Sequence, residues 1–239
     1  MQLTNKTVFV TGANRGIGKA LVEALLQHPV KKIYATARDI SALPDFADAR
    51  VVPVTLDITK PDQIQAAVAL AQDVDVLINN SGVLSMASVV SGDPDALRYD
   101  MDVNYYGTLA ITRAFVPVLA EHEGAAIANV LSVVSLASMI GIGGYSASKA
   151  ALFSATQAMR AELKVQGISV HAIFPGPIDT DMAKEFPMQK ASAQETAENI
   201  LAGLIADAED IFPDPMSTQL GQLWATNPKA LEAAFAAMR

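Results

Sequence analysis

Short runs rich in Val and Ile recur along the chain, separated by longer segments whose apolar residues return every three or four positions. The first pattern suits strands buried on both faces and the second suits helices with one apolar stripe. Their alternation predicts βαβ units around a parallel sheet. Strands are expected at residues 7–10, 32–37, 51–56, 74–78, 126–131 and 169–174. Helices are expected at 16–27, 61–71, 100–121, 145–165 and 193–207. Six strands suffice for an α/β fold with a doubly wound, three-layer sheet of Rossmann type. Residues 175–192 are rich in Pro, Met and Asp without periodicity, and loops of that length in compact folds often act as lids over a site. Residues 208–239 follow as a C-terminal segment ending in a helical tail. No internal repeat or Pro/Ser-rich linker divides the 239 residues, so a single domain is expected.

Composition narrows the function. The chain is 51% hydrophobic, enough for a sizeable core, and its net charge of −8 comes without any basic stretch. Nucleic acid and anionic membranes are therefore poor partners, and any anionic ligand must be met by a local site. There is no cysteine, which excludes disulfides, thiolate metal sites and Cys nucleophiles. His28, His122 and His171 lack metal-ligand spacing, so no metal is expected. The polar N-terminus does not read as a signal peptide, and no apolar run reaches the ~18 residues of a membrane span. A cytoplasmic location is the expectation.

The first strand runs into Thr11-Gly12-Ala13-Asn14-Arg15-Gly16-Ile17-Gly18 and then a helix. Glycines there allow a tight turn and close backbone approach, and the helix N-terminus offers free N–H groups to a pyrophosphate. A Gly-rich turn with no ligand is the competing explanation. The second strand ends where an acidic residue would bind the ribose of NAD, but Ala37 stands there, followed by Arg38. A guanidinium at that point, with Arg15 in the loop, suits the 2′-phosphate of NADP(H), although Asp39 lies nearby. Asp57, followed by Ile58, closes the third strand, where its carboxylate could meet an adenine amino group or cap the helix that follows.

Tyr145 and Lys149 stand four residues apart on one helical face. A phenol titrates near ~10, and a neighbouring ammonium would favour its ionised form. A Tyr packed on a helix beside a surface Lys is the plain alternative.

The ordered set of motifs resembles the short-chain dehydrogenase/reductase family in its one-domain form. It comprises the Thr11–Gly18 loop, Asn79-Asn80-Ser81-Gly82 after the fourth strand, Asn104 in Val103-Asn104-Tyr105-Tyr106-Gly107, and Ser132 thirteen residues before Tyr145. Tyr145-x-x-x-Lys149 and Pro175-Gly176-Pro177-Ile178-x-Thr180 complete it, and the resemblance covers about residues 5–205. It implies that Tyr145 exchanges a proton with a carbonyl or alcohol oxygen and that Ser132 hydrogen-bonds the same oxygen. It further implies that Lys149 lowers the Tyr145 pKa and holds the nicotinamide ribose, and that Asn104 anchors a water leading to solvent. Ser135 rivals Ser132, and Asn79 could stitch neighbouring strands. Cofactor contacts are expected from Gly12, Asn14, Arg15, Gly16, Ile17, Gly18, Arg38, Asp57, Ile58, Asn80, Ser81, Gly82, Pro175, Gly176, Ile178 and Thr180.

Leu84, Met86, Val134, Ile140, Ile142, Pro177, Met182 and Phe186 are expected to form an apolar wall, of which only the loop lysines Lys184 and Lys190 could add a cation. The resulting expectation is NADPH-dependent reduction of a small or medium apolar ketone or aldehyde. An oxidative alcohol or hydroxysteroid-type dehydrogenase, a nucleotide-sugar epimerase or dehydratase, and a non-enzymatic NADP sensor are the rivals. The usual Asp-Gly-Gly turn of tetrameric relatives is missing near Glu209–Met216, which favours a homodimer through the 100–121 and 145–165 helices. Phe115, Leu152, Phe153 and Met159 would line that interface, or simply the core.

Overall fold

The structure, a computed structural model, describes residues 1–238. Seven strands form one sheet in the order β3-β2-β1-β4-β5-β6-β7, with every pairing parallel. They are β1 (Thr7–Val10), β2 (Lys32–Ala37), β3 (Val51–Thr55), β4 (Val76–Asn79), β5 (Ala126–Val130), β6 (Ser169–Ile173) and β7 (Asp210–Ile211). The strand order reverses between β1 and β4, and in such sheets ligands bind beyond the carboxyl ends of the strands at that point.

Both faces of the sheet are buried, as the Val/Ile runs require. Val8, Val10, Val76 and Ile78 pack with α1 (Gly16–Leu25) and α6 (Ala193–Ile205) on one side. The alternate residues Phe9, Leu77 and Ile127 face the other side, where α2 (Pro61–Leu70), α4 (Thr108–Leu119) and α5 (Gly143–Leu163) complete the core. A third apolar cluster lies at the carboxyl end of β5 and β6. It joins Leu131, Phe153 and Phe174 to Leu220 and Trp224 of the C-terminal helix α7 (Pro215–Thr226) and to Leu231 and Phe235 of α8 (Pro228–Ala237).

Several boundaries differ from the sequence expectation, each for a local reason. The helix expected from residue 100 begins earlier, as α3 (Pro94–Met101), because the Asp93 carboxylate caps the Asp95 amide and Pro94 sits at the first helical position. It passes through a π-helical turn at Asp102–Gly107 before α4. Helix α5 starts two residues before Tyr145, at Gly143. The seventh strand is only two residues long, too short to leave a periodicity, and it pairs with Ala172 and Ile173. Phe115, Leu152, Phe153 and Met159 are core residues at 0, 1, 8 and 9% exposure, so they do not form a dimer face.

A buried polar chain fixes the helices to the middle of the sheet. Asn79 and Asn129 are opposed on β4 and β5, and the Asn79 amide donates to Asn129 Oδ1 and to Thr112 Oγ1, both at 2.8 Å. Asn129 in turn donates to Thr156 Oγ1 at 2.9 Å. Asn79 thus stitches strands, and the same chain reaches both α4 and α5. Truncating one member strands buried partners, so Asn129→Ala should lower unfolding free energy by about 2 kcal/mol. Urea denaturation checks this, with an unchanged midpoint contradicting it.

Candidate active site

The carboxyl ends of β1, β2, β4, β5 and β6 open into one cavity of about 660 Å³. Its floor is the glycine loop. Gly12 has a φ of +66°, in the left-handed region that favours glycine. Gly18 permits close approach, since a Cβ there would lie 2.1 Å from the Gly12 carbonyl oxygen. Gly18 is therefore a packing position and does not line the cavity, whereas Gly12, Asn14, Arg15, Gly16 and Ile17 do. Helix α1 opens with no side-chain cap and no acidic residue in its first turn, which leaves its first amides open to an anion. Thr11 Oγ1 accepts from the Asn80 and Ser81 amides at 2.9 Å, and Asn80 Nδ2 donates to the Thr11 and Gly12 carbonyls at 3.0 Å. The Asn80 side chain thus braces the glycine loop.

Beyond β2, Ala37 is buried and Arg38 is exposed at the cavity rim. Asp39 lines the same rim and is engaged with Ser41, accepting from its amide at 2.9 Å and its hydroxyl at 2.7 Å. Arg15 reaches Asp181 at 3.1 Å, an exposed pair that spans the cavity mouth. Asp57 lines the same end and accepts from the Thr59 amide and hydroxyl at 2.9 and 2.7 Å. Burial pushes its carboxyl up, but the Thr59 bonds and the Arg38 and Lys60 charges outweigh this and hold it below the usual range. Ile58, Ser81, Gly82, Pro175, Gly176, Ile178 and Thr180 complete this half of the lining. The residues therefore suit a dinucleotide: open amides for a pyrophosphate, with Ala37 at the end of β2 and Arg38 at the rim, where Asp39 is engaged with Ser41.

Ser132, Tyr145 and Lys149 meet at the other end of the cavity. Ser132 lies two residues beyond β5 and caps the turn Val133–Ser135, with its hydroxyl accepting from the Val134 amide at 3.4 Å. Ser135 points back, accepting from the Ser132 amide at 3.2 Å, and is absent from the lining. Lys149 is buried and donates to the Val130 carbonyl at 2.8 Å, with Nζ lying 5.8 Å from the Tyr145 ring centre. Burial drives the Lys149 pKa down to about 8, opposed by the Asp100 charge. Burial likewise pushes the Tyr145 phenol up to about 12; Ser132 pulls it down and Asp100 adds to the rise. The lowering expected from Lys149 does not appear: Ser132 is the group that pulls the phenol down, and desolvating a phenolate costs more than that bond returns.

Asn104 lies outside the lining. It is fully buried in the π-turn, accepts from the Val83 amide at 2.8 Å, and donates to the Val83 carbonyl and Ser148 Oγ at 2.9 Å. Both of its amide hydrogens are used in these bonds, while Oδ1 keeps a second lone pair.

Leu84, Val134, Ile142, Pro177, Met182 and Phe186 line the apolar end. Ile140 and Met86 do not: each is 61% exposed, on a stretch where no periodicity fixes a side chain's direction. Lys184 and Lys190 also lie off the wall. The part not foreseen is the roof, where Met216, Leu220, Phe235 and Met238 descend from the C-terminal segment. Asp214 ties that segment down, capping α7 through the Ser217 amide at 2.9 Å and accepting from the Gly176 amide at 2.8 Å. The Asp214-Pro215 pair was a legible helix start.

Residues 6–191 match the profile of the family described as short chain dehydrogenase. The chain belongs to this family. Among its relatives, a Penicillium crustosum protein named short-chain dehydrogenase PC-15 is 35% identical over 185 residues, covering 74% of this chain and 68% of that one. The 3-oxoacyl-[acyl-carrier-protein] reductase FabG of Vibrio cholerae is 29% identical, covering 88% of each chain. A crystal structure of a short chain dehydrogenase from Burkholderia cenocepacia, described as a complex with NADP, superimposes with a TM-score of 0.93 at 40% identity, over 98% of this chain and 99% of that one. This short-chain dehydrogenase is therefore an oxidoreductase with a Rossmann-type sheet. Among the described residues, no helix is long and apolar enough to cross a membrane.

The packing at Gly18 makes a prediction independent of any substrate. Gly18→Ala drives a methyl into the Gly12 carbonyl and should destabilise the fold by about 1–3 kcal/mol. Thermal unfolding reads this as a lower Tm, and an unchanged Tm contradicts the packing.

Proposed function

We propose that this protein is an NADPH-dependent carbonyl reductase acting, reversibly, on a small or medium apolar ketone or aldehyde. One observation carries the reading: Ser132, Tyr145 and Lys149 converge where a dinucleotide cleft meets an apolar chamber. Arg15 and Arg38 at the far end favour a 2′-phosphate, in keeping with the NADP of the Burkholderia cenocepacia relative, while relatives from Brucella melitensis and Burkholderia phymatum are described with NADH and NAD. Among the described residues, the apolar chamber offers no cation beyond Lys149, which suits a neutral substrate.

A bound nicotinamide supplies the hydride, or takes it in the reverse direction. The chain's residues handle the oxygen and its proton. The Ser132 hydroxyl fixes the carbonyl oxygen by a hydrogen bond, and the Tyr145 phenol donates its proton to that oxygen as charge develops there. Lys149, anchored on Val130 with Nζ 5.8 Å from the Tyr145 ring centre, keeps a positive charge near the phenol and would hold the ribose of the cofactor. The glycine loop and the α1 amides would hold the pyrophosphate, and the apolar walls exclude water.

Tyr145→Phe should lower kcat for ketone reduction by about 10²–10⁴-fold while NADPH affinity, read by fluorescence titration, is unchanged. Retained turnover contradicts the assignment. Arg38→Asp should cut kcat/KM for NADPH by about 10- to 100-fold and spare NADH, the loss of a charged hydrogen bond. Equal use of both cofactors by the native chain contradicts the 2′-phosphate reading.

The pH dependence follows from the two buried groups. Reduction uses the protonated phenol, which persists up to about 12, and the Lys149 ammonium, which persists only up to about 8. The reductive kcat/KM should be level below about pH 8 and fall above it, the two groups titrating as a coupled pair. A reductive rate that climbs from pH 8 to 10 contradicts this.

A further inference from the structure

Asp100 is a fully buried carboxylate that the proton relay above does not use. It stands four residues before Asn104, on the same face of the α3 and π-helical segment. Each of the two accepts one amide from the chain leaving β4: Asn104 Oδ1 from Val83 at 2.8 Å and Asp100 Oδ1 from Ser85 at 2.9 Å. Val83 and Ser85 are two residues apart, so the side chains act as successive rungs that hold this extended segment. Between the rungs Leu84 reaches the cavity wall. At its start, Gly82 lies against Lys149, since a Cβ on Gly82 would meet Asn104 Oδ1 at 3.1 Å and Lys149 Nζ at 3.4 Å.

The second carboxylate oxygen faces the catalytic helix. Asp100 Oδ2 is buried and has no hydrogen-bond partner among the described residues, and a Cβ on Gly144 would lie 3.2 Å from it. Gly144 is in the first turn of α5, one residue before Tyr145. Helix α5 has no side-chain cap and no acidic residue in its own first turn. Asp100 therefore brings a carboxyl group from α3 to a helix N-terminus that favours its ionised form; burial pushes this carboxyl up, opposed by the Ser85 hydrogen bonds and the Lys149 charge.

We propose that Asp100 is a positioning residue of this site, clamping the Val83–Ser85 segment and placing a negative charge beside the Tyr145–Lys149 pair that holds both groups protonated. This rests on the reading of Tyr145 as proton donor, because a donor must keep its proton until the carbonyl arrives. On the packed elements, the titratable groups that respond to the Asp100 charge are Tyr145 and Lys149 on α5, and the uncharged Ser85 on the chain after β4 bonds it directly. On its own helix Arg98 is exposed and paired with Asp95 at 2.9 Å. Both effects have the same sign: a nearby anion disfavours phenolate and favours ammonium. The Asp100 charge acts on both groups, though burial remains the larger influence on each.

Asp100→Asn keeps an oxygen to accept the Ser85 amide and removes only the charge. The Lys149 side chain, followed by NMR of ¹³C-labelled lysine in the full chain without added substrate or cofactor, should titrate about one pH unit lower in this variant than in the native protein. A merely structural role for Asp100 leaves the titration in place, and an unchanged value overturns the proposal. If the variant does not fold, the reciprocal measurement decides: in Lys149→Met the Asp100 carboxyl carbon should titrate at higher pH than in the native chain, because its cation is gone. An unshifted Asp100 overturns the proposal equally. Because neither readout needs turnover, a chain that reduces no ketone but shows these shifts would lose the reductase reading and keep the charge coupling, and the converse is equally visible.

Discussion

The site depends on burying an ammonium at the end of a sheet. Lys149 sits at 4% exposure with a backbone carbonyl, Val130, as its hydrogen-bond acceptor and a buried carboxylate, Asp100, in its surroundings. A charge in such a place is tolerated only where the neighbouring groups are arranged for it. That arrangement requires β5 to end at Val130, α5 to begin just before Tyr145, and α3 to deliver its carboxylate to the opening of α5. Each of these is fixed by a separate structural element: the Asn79–Asn129 stitch, the Gly143-Gly144 entry, and the Asp93 cap that starts α3. The low titration point of the lysine and the high one of the tyrosine follow from the same burial. The phenol thereby keeps its proton at neutral pH, as the proposed donor role requires.

Two ends of one cavity divide the work. The glycine loop, braced by Asn80 and Thr11, exposes unpaired helix amides where a pyrophosphate would lie. The far end is apolar, roofed by α7 and α8 and tied to the Pro175-Gly176 turn by Asp214. The roof thus reports on the dinucleotide half of the site through one carboxylate, since any shift of α7 must move the Gly176 amide or break that bond.

Much of this was legible in the sequence, for reasons of range. The glycine loop and Tyr145-x-x-x-Lys149 are local patterns whose geometry is set by one turn or one helix, and the buried strands announce themselves by uninterrupted apolar runs. Ser132 could be chosen over Ser135 from spacing, and the structure places only Ser132 on the cavity. What could not be read was set by contacts across long separations. Met216, Leu220 and Phe235 look like any helical apolar face until the tail folds back. Ile140 and Met86 are apolar but lie in non-periodic segments, where hydrophobicity alone does not say which way a side chain points. The depression expected of the Tyr145 pKa failed because spacing reveals a neighbouring charge but not the degree of burial. The bonds of the Asn104 amide to Val83 and Ser148 join positions 21 and 44 residues away, which spacing along one helix does not reveal.

The central claim is that a carbonyl held between Ser132 and Tyr145 receives hydride from one side and a proton from the phenol. Its most direct test is isotopic. With NADPH deuterated at the transferable C4 position and a panel of apolar ketones in ordinary water, mass spectrometry of the alcohol product should show one deuterium on the carbinol carbon and none on its oxygen. An alcohol without deuterium, or no alcohol from any ketone of the panel, contradicts it.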